Sequence, residues 1–183
     1  MCQTTFKDEV RADTTLAKLS QLKPVFKTKG SVSAGNASSL NDGAAFLALA
    51  SSEYIKANKI KPLAKILSWS SSAGNPDFMG ITPITAIQKL MKKMSVNISF
   101  FDLIEINEAF AATSVAVQRS LKIDPNKLNI AGGAIALGHP IGCSGTRIVT
   151  TLAHQLKRTK KKFGVASMCI GGGQGLAMAI EKL

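Results

Sequence analysis

The sequence predicts an α/β fold built on a mixed sheet of about five strands, and three observations carry that expectation. Apolar segments of strand length alternate with segments of helical periodicity along most of the chain. The last two apolar stretches, Phe163–Ile170 and Leu176–Ile180, are joined through Gly171, Gly172, Gly173 and Gly175, and so tight a connection links only antiparallel neighbours. The run Ala44–Ala50 is apolar on all sides, so it needs cover all round. One sheet of this size cannot provide that, which implies more than one sheet layer.

Taken in order, residues 1–40 are polar and carry Pro24, Gly30 and Gly35, and they read as a loop-rich excursion with one short helix near Thr14–Leu22. A helix is expected over Asp42–Lys56, ended by Pro62, with a strand at Leu63–Trp69. Thr82 is a suitable N-cap with Pro83 at the first helical position, and Ile84, Ile87, Leu90, Met91 and Met94 then share one helical face. Asp102–Ile106 reads as a short strand, Glu108–Leu121 as a helix rich in Ala and Val, and Leu128–Ala131 as a further strand. Gly132–Gly145 is a glycine-rich loop feeding a helix over Thr146–Leu156, ahead of the closing hairpin. No internal repeat and no linker divides the chain.

Composition excludes some classes. A 45% hydrophobic and 19% charged balance over 183 residues is that of a globular domain with a core, not a disordered chain. No segment has the length and apolarity of a membrane-spanning helix. The opening MCQTTFKDEVR is charged and offers no apolar signal segment, and the final EKL is only a weak relative of a peroxisomal address. Cys2, Cys143 and Cys169 are an odd number at wide spacing, as expected of reduced thiols in the cytoplasm. The formal charge of +12 fits a nucleic-acid binder, a lysine-rich surface with a solvated basic run at Lys157–Lys162, or a site for a small polyanion. No aromatic residues interleave with the basic run to stack bases, so the surface reading outweighs the nucleic-acid one.

Three motifs concentrate the informative residues: Asn107-Glu108-Ala109-Phe110, the stretch Gly132–Gly142 that contains Gly138-His139-Pro140-Ile141-Gly142, and Cys169-Ile170-Gly171-Gly172-Gly173-Gln174-Gly175. Each lies at or just past the C-terminal end of an expected strand, where α/β sheets place their sites. Singly, each has a plain alternative. Asn107 can cap a helix, His139 can be a structural loop residue, Cys169 can be core, and the glycines can be turn punctuation. The glycine loop matches neither GxxxxGK[ST] nor GxGxxG, so it is a weak phosphate signal.

Together, in this order and spacing, these motifs resemble the thiolase family. Arg11–Thr15, Ala34–Ser38, Asn41–Ala45 and Met79-Gly80 resemble family segments as well, so the likeness covers essentially the whole chain. It implies a layered fold of two similar halves, each with a mixed five-stranded sheet and helices on both faces, of which this chain is the C-terminal one. Residues 1–40 would be a remnant of the CoA-binding loop region, and residues 41–183 the C-terminal domain. It also implies roles. His139 would deprotonate a nucleophilic cysteine and donate to an oxyanion hole completed by a water on Asn107. Cys169 would be the second catalytic cysteine, and the Gly171 N–H would stabilise the oxyanion of the acyl-enzyme step. Ala34, Gly35 and Ser38, with Phe26 and Arg11 nearby, would line the path of CoA, and Met79 and Phe110 would shape the acyl pocket.

The expected activity is that of an acetyl-CoA C-acetyltransferase, condensing two acetyl-CoA or cleaving acetoacetyl-CoA, with no metal or redox cofactor. The expected partners are acyl-CoA and an N-terminal thiolase half or further copies of the chain, with neither nucleic acid nor membrane. The family's nucleophilic cysteine sits in an elbow followed by small residues, and no such segment occurs here. Cys2 lacks that context, and Cys143, four residues after His139, reads as packing. Gly80-Ile81-Thr82-Pro83 and Ser39 also depart from the family pattern. The alternative expectation is a non-catalytic fragment that acts only with a partner half.

Overall fold

The computed structural model describes residues 11–183, so Cys2 lies outside the described residues. Strands β1 (Ala64–Ala73), β2 (Leu103–Ile106), β3 (Phe163–Ile170) and β4 (Gln174–Lys182) form one mixed sheet in the order β1-β4-β3-β2. β2 and β3 run parallel, while β4 is antiparallel to both of its neighbours. The glycine-rich connection closes the β3–β4 hairpin as its composition requires. Gly173 has φ +87°, a conformation that L-residues resist, and its carbonyl accepts the Gly74 N–H at 2.8 Å, tying the hairpin tip to the end of β1.

Helices α1 (Leu16–Ser20) and α2 (Ser52–Ala57) precede the sheet in sequence; α3 (Thr82–Met94), α4 (Ala111–Leu121), α5 (Ala134–Leu137) and α6 (Ser144–Thr159) follow β1. The sheet separates two apolar clusters. On one face Ile104, Ile106, Val165, Ala177 and Ala179 meet Ala86, Ile87 and Leu90 of α3 and Val117 and Leu121 of α4. On the other, Leu103, Ala166 and Ile180 meet Ile148, Leu152, Ala153 and Leu156 of α6. Alternation along β2 therefore sends Leu103 and Glu105 towards α6, and Ile104 and Ile106 towards α3 and α4.

The face expected on α3 is the one it buries: Ile87 and Leu90 are fully buried, and Ile84, Met91 and Met94 pack partly buried against the same cluster. Thr82 does not cap it. It is the first helical residue, and its hydroxyl donates to the carbonyls of Met79 and Gln174, both at 2.7 Å, anchoring the helix start to β4. A missing cap costs about 1 kcal/mol. Burying Ile87 and Leu90 stabilises by roughly 1.5–3 kcal/mol each, so packing decides the position of α3.

Two expected elements take another form. At Leu128–Ala131 there is a single parallel bridge, Ile104 to Leu128, and the chain then turns at Asn129 with φ +46°. The Asn129 side chain occupies the edge of β2 instead: its Oδ1 accepts the Ile106 N–H at 2.8 Å and its Nδ2 donates to the Ile106 carbonyl at 2.9 Å. Among the described residues the sheet thus has four strands rather than five. The helix expected over Asp42–Lys56 is reduced to α2, with the Ser51 hydroxyl capping the Tyr54 N–H. Residues 42–50 form no helix, strand, turn or bend and make no backbone hydrogen bond to the described residues. Leu40, Phe46 and Leu49 stand 86%, 91% and 76% exposed. No helix is long and apolar enough to cross a membrane among the described residues.

Candidate active site

The site begins where β2 ends. Asn107 is fully buried, and its N–H donates to the Ser167 carbonyl of β3 at 3.0 Å, which sets it level with the last turn of that strand. Glu108 points the other way and pins the following loops. Its Oε1 accepts from Asn129 Nδ2 at 2.8 Å and its Oε2 from the Ile135 N–H at 3.2 Å, at the start of α5. Helix α5 ends at Gly138, with φ +94° and ψ 163°, a region open only to glycine, and the Asn41 side chain fills the space a Cβ would take. This sharp reversal delivers His139 back towards Asn107. The His139 N–H donates to the Ser39 carbonyl at 3.0 Å, so residues 39–41 brace the same loop.

Both nitrogens of His139 are engaged. Nε2 lies 3.3 Å from Asn107 Nδ2, and Nδ1 lies 2.6 Å from the hydroxyl of Ser144, the first residue of α6. The Ser144 hydroxyl also reaches the Pro140 carbonyl at 3.0 Å. An amide nitrogen can only donate, so Nε2 is the acceptor and Nδ1 carries the proton. Burial, reinforced by the cationic Arg147 nearby, holds the imidazole's pKa below its ordinary value. A neutral ring with an unprotonated Nε2, held only by a long contact to the Asn107 amide, can act as a base near neutral pH.

Cys169 is buried one residue before the end of β3, at the same end of the sheet, and forms no hydrogen bond with His139 or Asn107. Alternation with Val165 and Ser167 turns its side chain to the α3 side. Its register partner there is Gly175, where an added Cβ would meet the Thr82 carbonyl and the Ser72 hydroxyl. The structure thus joins Asn107 and His139 directly and sets Cys169 across β3 from them. Burial pushes the Cys169 thiol up, so it is protonated at neutral pH. Gly171 is exposed at the hairpin tip, with open space where a Cβ would stand, and its N–H has no acceptor among the described residues.

Of the remaining expected residues, Ser38 donates from both N–H and hydroxyl to the Ala109 carbonyl at 3.0 Å, and Ala111 N–H donates to the Asn36 carbonyl at 2.8 Å. The segment holding Ala34 and Gly35 is therefore docked on the loop that carries Asn107. An added Cβ at Gly35 would meet Leu19 and Leu22, so this glycine allows close packing. Phe26, 74% exposed, meets Phe110 edge to face at 6.1 Å. A groove of about 220 Å³ runs between Val32, Asn36, Phe110 and Val115. Met79 is half-buried in a 3₁₀ turn at Pro76–Ile81, beside the start of α3. Arg11 is exposed, its carbonyl accepting from Thr14.

Sequence reasoning overlooked Ser144, Arg147 and Glu105. Arg147 Nη2 donates to Asn107 Oδ1 at 3.4 Å, and Glu105 is buried two residues before Asn107 on the same face of β2. A lone charge in the otherwise apolar strand Leu103–Ile106 was the available signal.

An imidazole held by an amide and a hydroxyl thus stands at the C-terminal end of a mixed α/β sheet, with a buried thiol on the opposite face of β3. The family model described as "Thiolase, C-terminal domain" matches residues 60–182, and "Thiolase, N-terminal domain" matches residues 2–53. The chain is 48% identical over 174 residues to the mitochondrial 3-ketoacyl-CoA thiolase of Rattus norvegicus, covering 95% of this chain and 44% of that protein. It superimposes on the crystal structure of the Bacillus anthracis acetyl-CoA acetyltransferase with a TM-score of 0.94 at 50% identity, covering 97% of this chain and 45% of that one. The human mitochondrial 3-ketoacyl-CoA thiolase in complex with CoA gives a TM-score of 0.89 at 43% identity, covering 96% and 45%. The chain belongs to the thiolase family, and it spans a little under half the length of these relatives.

Proposed function

We propose that this chain supplies the acid–base part of a thiolase-type acyltransferase, which condenses two acetyl-CoA to acetoacetyl-CoA or runs the reverse thiolysis. The observation that carries the proposal is the His139 hydrogen-bond set, with Nε2 left as acceptor beside the Asn107 amide. In this reading a cysteine from the remainder of the thiolase length gives its proton to His139 Nε2. The thiolate attacks the thioester carbonyl, and the departing CoA sulfur takes the proton back. A free thiol titrates near 8.5, so an adjacent neutral imidazole is what makes thiolate available at pH 7. Cys169 then handles the second proton. As a thiolate it removes a proton from the α-carbon in condensation, and as a thiol it returns one in cleavage; its raised pKa suits the donor role.

In this reading the Gly171 N–H, and His139 once it carries the cysteine's proton, with Asn107, stabilise the oxyanions, and each such donor is worth on the order of 100- to 1,000-fold in rate. For His139 and Cys169 to serve one substrate, the thioester must lie across the exposed end of β3. The pantetheine arm of CoA suits the groove beside Phe110, and the phosphates suit the lysines around Phe26, namely Lys23, Lys27 and Lys29. The reaction itself calls on no metal or redox group. A reducing compartment, the cytoplasm in our reading, keeps both thiols competent. The partner is the rest of a thiolase, or further copies of the chain. A second reading, a non-catalytic fragment that acts only with a partner half, is favoured by the exposed apolar side chains of Leu40, Phe46 and Leu49.

The test is thiolysis of acetoacetyl-CoA by the purified chain, alone and with the N-terminal portion of a thiolase relative. We expect no turnover alone, restored turnover with the added portion, and loss of most of it in Cys169→Ser. Robust turnover by the isolated chain, or an undiminished Cys169→Ser complex, would overturn the assignment.

A further inference from the structure

The line of hydrogen bonds through His139 runs between two groups that cannot reverse their sense, the acceptor-only Pro140 carbonyl and the donor-only Arg147 guanidinium. The Ser144 hydroxyl can donate to Nδ1 or accept from it. The Pro140 carbonyl, which accepts from the hydroxyl at 3.0 Å, favours the accepting sense, but it is shared with the backbone N–H groups of Cys143 at 2.9 Å and Ser144 at 3.0 Å, which weakens its hold. The Asn107 amide can present either nitrogen or oxygen to Nε2 by rotating half a turn. Beyond Asn107 stands Arg147, whose guanidinium carries donors alone and never loses its proton. Its Nη2 meets Asn107 Oδ1 at 3.4 Å. With Oδ1 held there, Nδ2 must face His139, Nε2 must accept, and the ring proton must sit on Nδ1.

The placement of Arg147 is otherwise hard to explain. It lies in the first turn of α6, where the helix dipole disfavours a cation, and that turn contains no acidic residue. Its Nη1 is buried with no hydrogen-bond partner among the described residues. Its opposite charge is Glu105, 2% exposed on β2, which makes no ion pair with it within hydrogen-bonding range. Arg147 as a whole is half-buried, but a buried guanidinium nitrogen without an acceptor costs stability, which this placement must offset elsewhere.

We propose that Arg147 is a positioning residue that fixes the orientation of the Asn107 amide and, through it, selects the Nδ1–H tautomer of His139, leaving Nε2 as the base. The value of this arrangement rests on the reading of His139 as a base, but the tautomer can be measured without any activity. The chain has two histidines, and His154 is exposed on α6, so it serves as an internal reference.

The experiment is long-range ¹H–¹⁵N NMR of the ¹⁵N-histidine-labelled chain at pH 8, with His154→Gln to assign the two rings. In the wild-type chain His139 should show the Nδ1–H pattern alone. In Arg147→Met the amide can turn Oδ1 towards the ring, and the Nε2–H form should appear as a substantial fraction. Arg147→Lys keeps a donor-only cation and should retain the wild-type pattern. The His154 signals should be unchanged throughout. A wild-type His139 already in the Nε2–H form overturns the proposal, even if the methionine variant does not fold. So does an Arg147→Met chain that keeps the wild-type tautomer, or an Arg147→Lys chain that loses it as fully as the methionine variant. Failure of the thiolysis test with a wild-type tautomer as expected would count against the base reading and not against Arg147.

Discussion

Glu105 offers a stability experiment whose size follows from its position. Its carboxyl is 2% exposed and has no hydrogen-bond donor among the described residues. Desolvation raises its pKa from 4.5 to about 7; the attraction of Arg147 works against this, and Glu108 adds to it. In the unfolded chain the group ionises near 4.5, whereas in the folded chain it holds its proton up to about 7. The favourable proton binding is therefore intact below pH 4.5 and is lost progressively as pH rises to about 7, with no further change above that. At 1.36 kcal/mol per pH unit, the interval from 4.5 to about 7 amounts to about 3 kcal/mol of lost stability. Glu105→Gln mimics the protonated acid and escapes the loss. Urea unfolding followed by far-UV circular dichroism should show the variant about equal to wild type at pH 4.5 and more stable by about 3 kcal/mol at pH 8, with the gap opening between. A gap that does not vary with pH, or a variant less stable than wild type at pH 8, would refute the reasoning, because Glu105 would then be satisfied as an anion.

Gly138→Ala should lower the thermal midpoint, since φ +94° with ψ 163° costs an L-residue on the order of 1–3 kcal/mol and the Asn41 side chain must also move; differential scanning calorimetry reads the loss, and an unchanged midpoint would show that the loop relaxes freely. The exposed Leu40, Phe46, Leu47 and Leu49 should make the chain associate as salt screens its +12 charge, which light scattering and ANS fluorescence will show. Phe46→Ser should reduce both signals, and a monomer that binds no dye at high salt would mean those side chains are not sticky in solution.

The α/β order, the closing hairpin and the face of α3 were legible in the sequence because each rests on local periodicity or turn chemistry. The motifs holding Asn107 and His139 marked residues that do meet. What was not legible depends on distant partners. Apolar side chains at every position from Ala44 to Ala50 suit a buried helix and a buried strand equally, and the chain adopts neither regular form there. Leu128–Ala131 has strand-like composition, but the left-handed turn at Asn129 replaces a ladder with one side-chain amide. Ser144 and Arg147 follow His139 by five and eight residues, and only the entry angle of α6 brings both towards the ring. The face to which Cys169 points is set by the β3–β4 register, which motif spacing does not specify.

The two borders of the sheet differ in a way that bears on misassembly. At β2, the carboxamide of Asn129 takes both hydrogen-bonding groups of Ile106, imitating a single residue of a neighbouring strand and then turning away. A second chain seeking to pair there finds the groups occupied and the approach blocked. The far border, β1, is a ten-residue strand whose Trp69 and Ser71 carbonyls accept from the ammonium groups of Lys93 and Lys89, both at 3.3 Å, while no side chain takes both groups of one residue there among the described residues. The barrier to pairing between copies is therefore uneven: it is lower at β1, and with β2 plugged in every copy, pairing through β1 closes at two copies. A single asparagine thus acts as a chain stopper, and substituting it would leave both borders able to pair and remove the limit of two copies.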